Sequence, residues 1–245
     1  MRTRLRRLIA AALLGTCWHV PHAQAQYDAG ASIGLGMGMA SNNNIIGGLN
    51  IGSQIVGRGA AQPAGSDAAA QQKLRFRPDE TVHHEVYVSI VDFLARRDPS
   101  RRAEAERYLV QSAPLAQFDR MLGSYALERN NLADVLVGYM VVTWEVVNAT
   151  HAKPKSEGIA TVRAKMRAAL ARDSKVSAMS DADKQRRAET FAYLAALAVA
   201  ADSEMQRQGN QAGIAQLRQS VRRAAMHTIG VDVQGLHLAE SGFGR

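Results

Sequence analysis

Cysteine and aromatic residues are scarce in this chain of 245 residues, and each scarcity excludes a class of protein. Cys17 is the only cysteine, so the sequence holds no disulfide framework. Aromatic residues make up 5% of the chain and alternating β-branched runs are few, which argues against an all-β sandwich. Neither a P-loop pattern nor a His-Glu-x-x-His pattern occurs. We therefore assign no catalytic residue, metal site or cofactor from sequence motifs.

The N-terminus is typical of a cleavable signal peptide. Four arginines lie between positions 2 and 7, and residues 8–15 form a short apolar run. Ala23-Gln24-Ala25 then supplies the small-x-small pattern that signal peptidase requires, which predicts cleavage after Ala25. The sequence therefore predicts a signal peptide over residues 1–25 and a protein that is exported, either periplasmic or secreted.

Cleavage after Ala25 changes what the composition means. It removes Cys17, and it lowers the formal net charge from +8 to +4 because four arginines and no acidic residue are lost. A rival interpretation is a lipoprotein signal ending at Cys17, although Thr16 is a poor residue at the preceding position. The apolar run of residues 8–15 is far shorter than the roughly 20 residues that a membrane-spanning helix needs.

Residues 26–72 have low complexity. They contain ten of the twenty glycines, and only Asp28, Arg58 and Asp67 are charged. Too few large apolar side chains are present to offset the entropy of ordering the backbone, which predicts a flexible arm. An alternative is that the segment pairs as β-strands with a partner or with itself, through the apolar pairs between the glycines, such as Ile55-Val56.

Residues 73–245 alternate between helical apolar periodicity and clear breaks, which predicts an all-α, compact bundle of about six to seven helices. Predicted caps at Asp79, Asn131, Ser156 and Ser180 each open a helix, and Gly230 ends the last one. The predicted helices run approximately over residues 79–97, 99–111, 114–123, 132–149, 156–172, 181–209 and 211–229. The tail from residue 231 is expected to be irregular or a short extended segment.

Asp134 and Glu145 are candidate binding residues on the most apolar predicted helix. Their spacing of eleven residues places them on nearly the same side but about 16 Å apart, beyond the 5–9.5 Å that separates glycosidase carboxylates. Asp134 also suits a structural role, because it can close the cap at Asn131. The functional alternative is a polar groove floored by Gly138 and flanked by Tyr139 and Trp144, which are also candidate binding residues.

Glu80-x-x-His83 has the spacing by which a helix offers a carboxylate and an imidazole to one metal ion. A di-iron bundle needs two such units, and the sequence supplies one. The simpler interpretation is a polar first turn in which Glu80 favours the helix dipole.

The segment from residue 153 to 187 contains ten basic and four acidic residues. Arg163, Lys165, Arg167 and Arg172 spread over the side of its predicted helix opposite Val162 and Met166, which indicates either a solvated face or a surface that binds an anion. The first three are candidate binding residues. The expected partner is an envelope protein or an anionic envelope polymer. Nucleic acid is not expected, because aromatic residues do not alternate with these basic residues.

The segment 127–148, which reads LERNNLADVLVGYMVVTWEVVN, resembles a family of exported proteobacterial helical proteins of unknown function. The resembling features are Asn130-Asn131, Ala133-Asp134, Tyr139 and Trp144, and the closing stretch 230–243 is similar as well. The resemblance covers about residues 75–243. It implies a helical domain behind a signal peptide and a variable linker, and it carries no activity to transfer.

Two functions therefore stay open. The first is a non-enzymatic binding or scaffold module of the cell envelope. The second is a hydrolase or lyase acting on an envelope polymer, with Asp134, Glu145, Tyr139 or the His83-His84 pair in its cleft. A cleft that joins Glu145 to a carboxylate from another helix favours the enzyme, whereas burial of Asp134 purely as a cap, with Glu145 facing solvent, favours the binding module. The oligomeric state is left open.

Overall fold

The structure, a computed structural model, describes residues 51–57, 72–150 and 154–245. This part of the chain is mostly helical, which confirms the predicted fold class. The predicted signal peptide and most of the predicted arm lie outside the described residues.

The described elements follow the predicted order, with two short helices and a strand pair added. The bounds are α1 Gly52–Ile55, α2 Glu80–Ala95, a 3-10 turn Pro99–Arg101, α3 Arg102–Ser112, α4 Pro114–Ser124, α5 Leu132–Asn148, α6 Ser156–Arg172, α7 Ser174–Ser177, α8 Asp181–Arg207, α9 Gln211–Ile229, β1 His237–Ala239 and β2 Gly242–Gly244. Helices α1 and α7, of four residues each, were too short to give a periodic apolar signal.

Three of the four predicted caps are present. The side chains of Asp79, Asn131 and Ser180 accept hydrogen bonds from backbone N–H groups in the first turns of α2, α5 and α8. The prediction for Ser156 is wrong, because Ser156 is already the first residue of α6 and Lys155 is the N-cap, without a side-chain hydrogen bond. A cap keeps a non-helical backbone, and Lys155 has it, with φ −68° and ψ 133°.

Helices α5 and α8 form the centre of the bundle. Helix α8 packs against α2, α4, α5 and α9, and α5 also contacts α6. Every residue of α5 from Leu132 to Trp144 is buried, as expected of a helix that is apolar on all sides. No helix in the described ranges combines the length and apolar character needed to cross a membrane.

Gly138 lies where α4 crosses α5. A β-carbon at this position would lie 2.5 Å from Leu122 Cδ2 and 2.9 Å from Phe118 Cζ, so the absence of a side chain lets the two helices approach closely. The predicted polar groove above Gly138 is therefore not formed, because apolar side chains of α4 fill that space.

Residues 51–57, which belong to the predicted arm, pack against the helical domain. Ile51 and Ile55 are buried, and the Gly57 N–H donates a hydrogen bond to the Phe243 carbonyl oxygen at 3.0 Å. A side chain at Gly52 would clash with the Gly230 carbonyl oxygen. Ile55 lies in a helical turn here and not in the strand considered above. The strand pairing in the described chain joins β1 to β2, where Leu238 lies opposite Phe243.

Candidate functional site

Asp134 is held by two arginines of α6. Its side chain is 0% exposed. Arg163 Nη2 donates to Oδ2 at 2.7 Å, Arg167 Nε donates to Oδ1 at 2.8 Å, and the Glu128 backbone N–H donates to Oδ2 at 2.9 Å. Burial works to raise the pKa of Asp134, but these hydrogen bonds outweigh it and hold the pKa below its usual value. We call Asp134, Arg163, Arg167 and Glu128 the Asp134 cluster.

The Asp134 cluster changes the interpretation of the basic segment. Both arginines also contact Glu128 at 3.3 Å, and Glu128 is paired with Arg75 at 2.7 Å as well, so two carboxylates hold three guanidinium groups within the fold. Arg163 and Arg167 are four residues apart on α6, and this spacing lets two guanidinium groups reach one carboxylate. The expectation that Asp134 closes the cap at Asn131 is wrong, because the Asn131 N–H donates to the Glu128 carbonyl oxygen at 3.2 Å and not to the Asp134 carboxylate. Asp134 instead ties the loop before α5 to α6.

Lys165 is buried, with 7% of its surface exposed, although the sequence suggested a solvated or anion-binding side chain. Its Nζ donates to the Gly57 carbonyl oxygen at 2.7 Å and to the Ser241 carbonyl oxygen at 3.1 Å. Residues 51–57 and the C-terminal hairpin cover this side of α6. A helical wheel cannot detect such a cover, because it represents one helix alone.

Tyr139 and Trp144 belong to the core and do not flank a groove. Tyr139 is fully buried beside Phe191, with ring centroids 4.8 Å apart, and burial raises the pKa of Tyr139 to about 12. The Trp144 indole Nε1 donates to the Leu236 carbonyl oxygen at 2.8 Å, and its ring packs edge-on against Phe243. Trp144 therefore fastens the C-terminal tail to α5.

Glu145 differs from Asp134, on the same helix, because its carboxylate has no hydrogen-bond partner among the described residues. Burial raises the pKa of Glu145 to about 7. No carboxylate from another helix contributes to this shift. The structure therefore does not bring Asp134 and Glu145 together, and the described residues form no carboxylate pair at Glu145.

A cavity of about 300 Å³ lies between the start of α2, helix α4, the loop before α5 and helix α8. We call it the His83 pocket. Its apolar wall consists of Phe76, Pro78, Leu115, Ala116, Phe118, Val135, Ala188 and Ala192. Its polar groups are Glu80, His83, Asp119, Arg129, Asn130, Gln185 and Glu189. Seven of the fifteen lining residues are polar or charged, so the cavity suits a ligand that has both an apolar and a polar part.

A chain of hydrogen bonds fixes the imidazole in this pocket. His83 Nδ1 lies 2.9 Å from Glu189 Oε2, and Gln185 Nε2 donates to Glu189 Oε1 at 2.8 Å. Gln185 is itself held at both ends of its amide by the backbone of Asp79, at 2.8 Å each. Since a carboxylate only accepts, Nδ1 carries a hydrogen and Nε2 of the neutral ring remains an acceptor.

The His83 pocket offers a positioned base and several acceptors. Serine, threonine and cysteine are not among the described residues that line it, so it lacks the usual side-chain nucleophiles. Glu80 and His83 both line the pocket. No group of three or more potential metal ligands occurs within the described ranges.

The sequence pointed to Glu80 and His83 only as part of a metal site or as a polar first turn, and none of the seven candidate binding residues lines this pocket. Glu189 and Gln185 lie on α8, more than 100 residues from His83. Gln185 and Glu189 carried no distinct signal, because the first ten residues of α8 also include Asp181, Asp183, Lys184, Arg186 and Arg187. Nothing in the sequence told which partner those side chains would face.

A family model matches this chain, and the comparisons give no activity for it. No curated protein and no solved structure matches it. The profile of a family of unknown function, DUF6683, matches residues 3–244. Because this match spans almost the whole sequence, the chain belongs to the DUF6683 family of unknown function.

Proposed function

We propose that this protein is an exported binding module of the cell envelope, and that its helical domain binds part of an envelope protein in the His83 pocket. The observation that carries the proposal is the cavity of about 300 Å³ whose imidazole is oriented by Glu189 at 2.9 Å. Fixed polar groups in a partly apolar cavity favour a specific ligand, because they lose little entropy on binding.

The export part of the proposal is supported by the N-terminal arginines, the short apolar run and Ala23-Gln24-Ala25. Cell fractionation and N-terminal sequencing test it. We expect the mature protein outside the cytoplasm, beginning at Gln26. An unprocessed N-terminus in the cytoplasmic fraction would contradict export.

An envelope protein is a better-supported partner than an anionic polymer. Arg163, Lys165 and Arg167, which would have attracted a polymer, are all engaged by groups of the same chain. The His83 pocket also contains more carboxylates than cationic side chains. A polyanion would therefore be repelled at the pocket and would find few available charges on that side of α6.

The test is capture of crosslinked envelope components by the wild type and by a variant with an obstructed pocket. Ala116 is an exposed residue of the cavity lining, so Ala116→Trp adds an indole at the edge of the cavity, and Ala103→Trp on the exposed side of α3 is the matched control. We expect one component to be recovered by the wild type and by Ala103→Trp, but not by Ala116→Trp. Equal recovery by all three forms would show that binding does not use the pocket.

A hydrolase or lyase acting on an envelope polymer remains the second candidate function. It is favoured by the orientation of His83, since an imidazole with a free Nε2 beside a carboxylate can accept a proton from water. Turnover of cell-wall polymer by the wild type that is lost in His83→Ala, while Ala116→Trp still captures its partner, would favour the enzyme. Absence of turnover would leave the binding module.

A further inference from the structure

The polar groups of the His83 pocket have more acceptor positions than the described residues fill with donors. The two carboxylate oxygens of Glu189 provide about four acceptor positions, and the contacts with His83 and Gln185 use two of them. No described residue donates a hydrogen bond to the Glu80 carboxylate. Nε2 of the neutral imidazole is a further acceptor. A ligand that completes this site must therefore supply donors.

The charge balance of the pocket points in the same direction. Its lining includes the carboxylates of Glu80, Asp119 and Glu189, and Arg129 is its one lysine or arginine among the described residues. Arg129 Nη1 contacts Asp119 Oδ2 at 3.3 Å, so this cation is paired with the third carboxylate. Glu80 and Glu189 then leave an excess of negative charge whenever His83 is neutral, and this excess attracts a cation.

The apolar part of the pocket sets the form of the ligand. Phe76, Phe118, Val135 and Ala188 line it beside the polar groups. A volume of about 300 Å³ is at the lower end of the range for small-ligand sites. The pocket thus suits a short apolar stem with a polar end and is too small for a bulky polymer segment.

We propose that the His83 pocket binds a primary ammonium group on a short apolar stem. An ammonium has three donors and no acceptor, which matches the free acceptor positions of Glu189, Glu80 and His83. A lysine side chain of an envelope protein and a small free alkylamine share this chemistry. The inference rests on the proposed binding function, and it specifies the ligand of that same site.

Calorimetric titration of the purified protein with four probes tests the proposal. Hexylamine, hexanol and hexanoate share a six-carbon stem and differ in the charge of the end group. A short blocked peptide with one central lysine represents the protein source. We expect saturable binding of hexylamine, at least tenfold tighter than that of hexanol or hexanoate. The affinity should weaken as salt rises, because the pocket is partly open to water.

Variants of the lining residues test whether hexylamine binds in the His83 pocket. Glu189→Gln should weaken hexylamine binding about 10- to 100-fold, because a hydrogen bond between charged groups is lost. Glu80→Gln, at an exposed position without a described partner, should weaken it several-fold without affecting the fold. Glu85→Gln is the matched control, since Glu85 lies on the same helix, is exposed and contacts Arg186 outside the pocket. It should bind hexylamine like the wild type.

The possible outcomes separate the two proposals. Hexylamine binding supports the ammonium inference. If the lysine peptide binds as well, a lysine side chain is the source of the ammonium group; if it does not, a free amine is the source. Equal or tighter binding of hexanol or hexanoate, lost in Ala116→Trp, overturns the ammonium inference while pocket binding stands. No saturable binding of any probe overturns both. Hexylamine binding that is unchanged in Glu189→Gln and Glu80→Gln also overturns the inference.

Discussion

The Asp134 cluster and the His83 pocket both contain a carboxylate held by groups of another helix. They differ in how far that carboxylate is buried and in how many of its acceptor positions the fold occupies. Asp134 is fully buried and receives hydrogen bonds from two guanidinium groups and a backbone N–H. Glu189 is 18% exposed, contacts an imidazole that is 41% exposed, and lines a cavity. The first arrangement is closed and the second is open to a ligand.

The difference shows that the number of charged residues in a segment does not tell whether they are available to a ligand. What decides it is whether each charged side chain already has a partner within the fold. Arg163, Lys165 and Arg167 belong to the most basic segment of the chain, and all three are satisfied internally. A buried carboxylate that keeps its charge must be paired in this way, since its desolvation costs several kcal/mol. The pocket keeps its charges near solvent and therefore does not need to pair all of them.

The largest effect is expected when the closed arrangement is broken. Asp134→Asn removes the charge between Arg163 and Arg167 and should lower the free energy of unfolding by about 3–5 kcal/mol. Urea denaturation at pH 7 measures the change. Glu104→Gln, which breaks the surface pair with Arg101, is the control and should cost less than about 1 kcal/mol.

We also expect the effect of Asp134→Asn on the free energy of unfolding to depend on pH. Because the pKa of Asp134 is lower in the folded state than its ordinary value of 3.8, the carboxylate contributes stability above that value. The contribution is lost as the pH falls through the folded pKa. The stability difference between wild type and Asp134→Asn should thus shrink below pH 3.8. A difference that stays constant in acid would contradict the charged role of Asp134.

Lys165 tests whether backbone carbonyl oxygens can replace a carboxylate as the partners of a buried cation. Lys165→Met removes the hydrogen bonds from Nζ to the Gly57 and Ser241 carbonyl oxygens, and should lower the free energy of unfolding by about 1–3 kcal/mol. Hydrogen exchange at Gly57 and Phe243 should rise in this variant. Lys175→Met, at an exposed position of α7, is the control. Unchanged exchange at Gly57 would show that residues 51–57 are held by other contacts.

The fold was largely predictable because it depends on local signals. Asp79, Asn131 and Ser180 open helices within one or two residues of the predicted positions, since a cap is a contact within one turn. Gly230 ends α9 with φ 69°, the left-handed conformation that favours glycine. The short helix α1 was missed because its order comes from burial against the domain and not from its own sequence.

The candidate site was only half predictable because it depends on contacts between distant helices. Glu80 and His83 were visible through their spacing, but Glu189 and Gln185 come from α8. Asp134 was correctly placed in the first turn of α5, whereas its arginine partners were assigned to a separate surface. Periodicity describes which side of a helix a residue occupies, and it does not say what that side faces.

Replacing Glu145 should raise the free energy of unfolding, whereas replacing Asp134 lowers it, and the change should be smaller. Its pKa is about 7 when folded, above the ordinary value of 4.5, so the folded state binds more protons between these values and is stabilised as the pH falls through 7. Glu145→Gln should therefore raise the free energy of unfolding at pH 8 by about 1–2 kcal/mol, discounted because the side chain is partly exposed. At pH 4 the variant and the wild type should unfold at similar urea concentrations. A variant that is less stable at pH 8 would contradict burial as the cause.

The smallest effect on stability is expected at the open arrangement. Glu189→Gln keeps an oxygen that can accept from His83 Nδ1 or from Gln185, and the site is partly exposed, so the free energy of unfolding should fall by less than about 1 kcal/mol. The imidazole should nevertheless respond, because an amide accepts from Nδ1–H less strongly than a carboxylate does.

Nitrogen NMR of the His83 ring measures that response. In the wild type at neutral pH we expect the hydrogen on Nδ1, and in Glu189→Gln a larger share of the tautomer with the hydrogen on Nε2. Glu85→Gln should leave the ring signals unchanged. Loss of several kcal/mol in Glu189→Gln would show that the His83 pocket is as closed as the Asp134 cluster. The acceptors that the ammonium proposal needs would then be occupied by the fold itself.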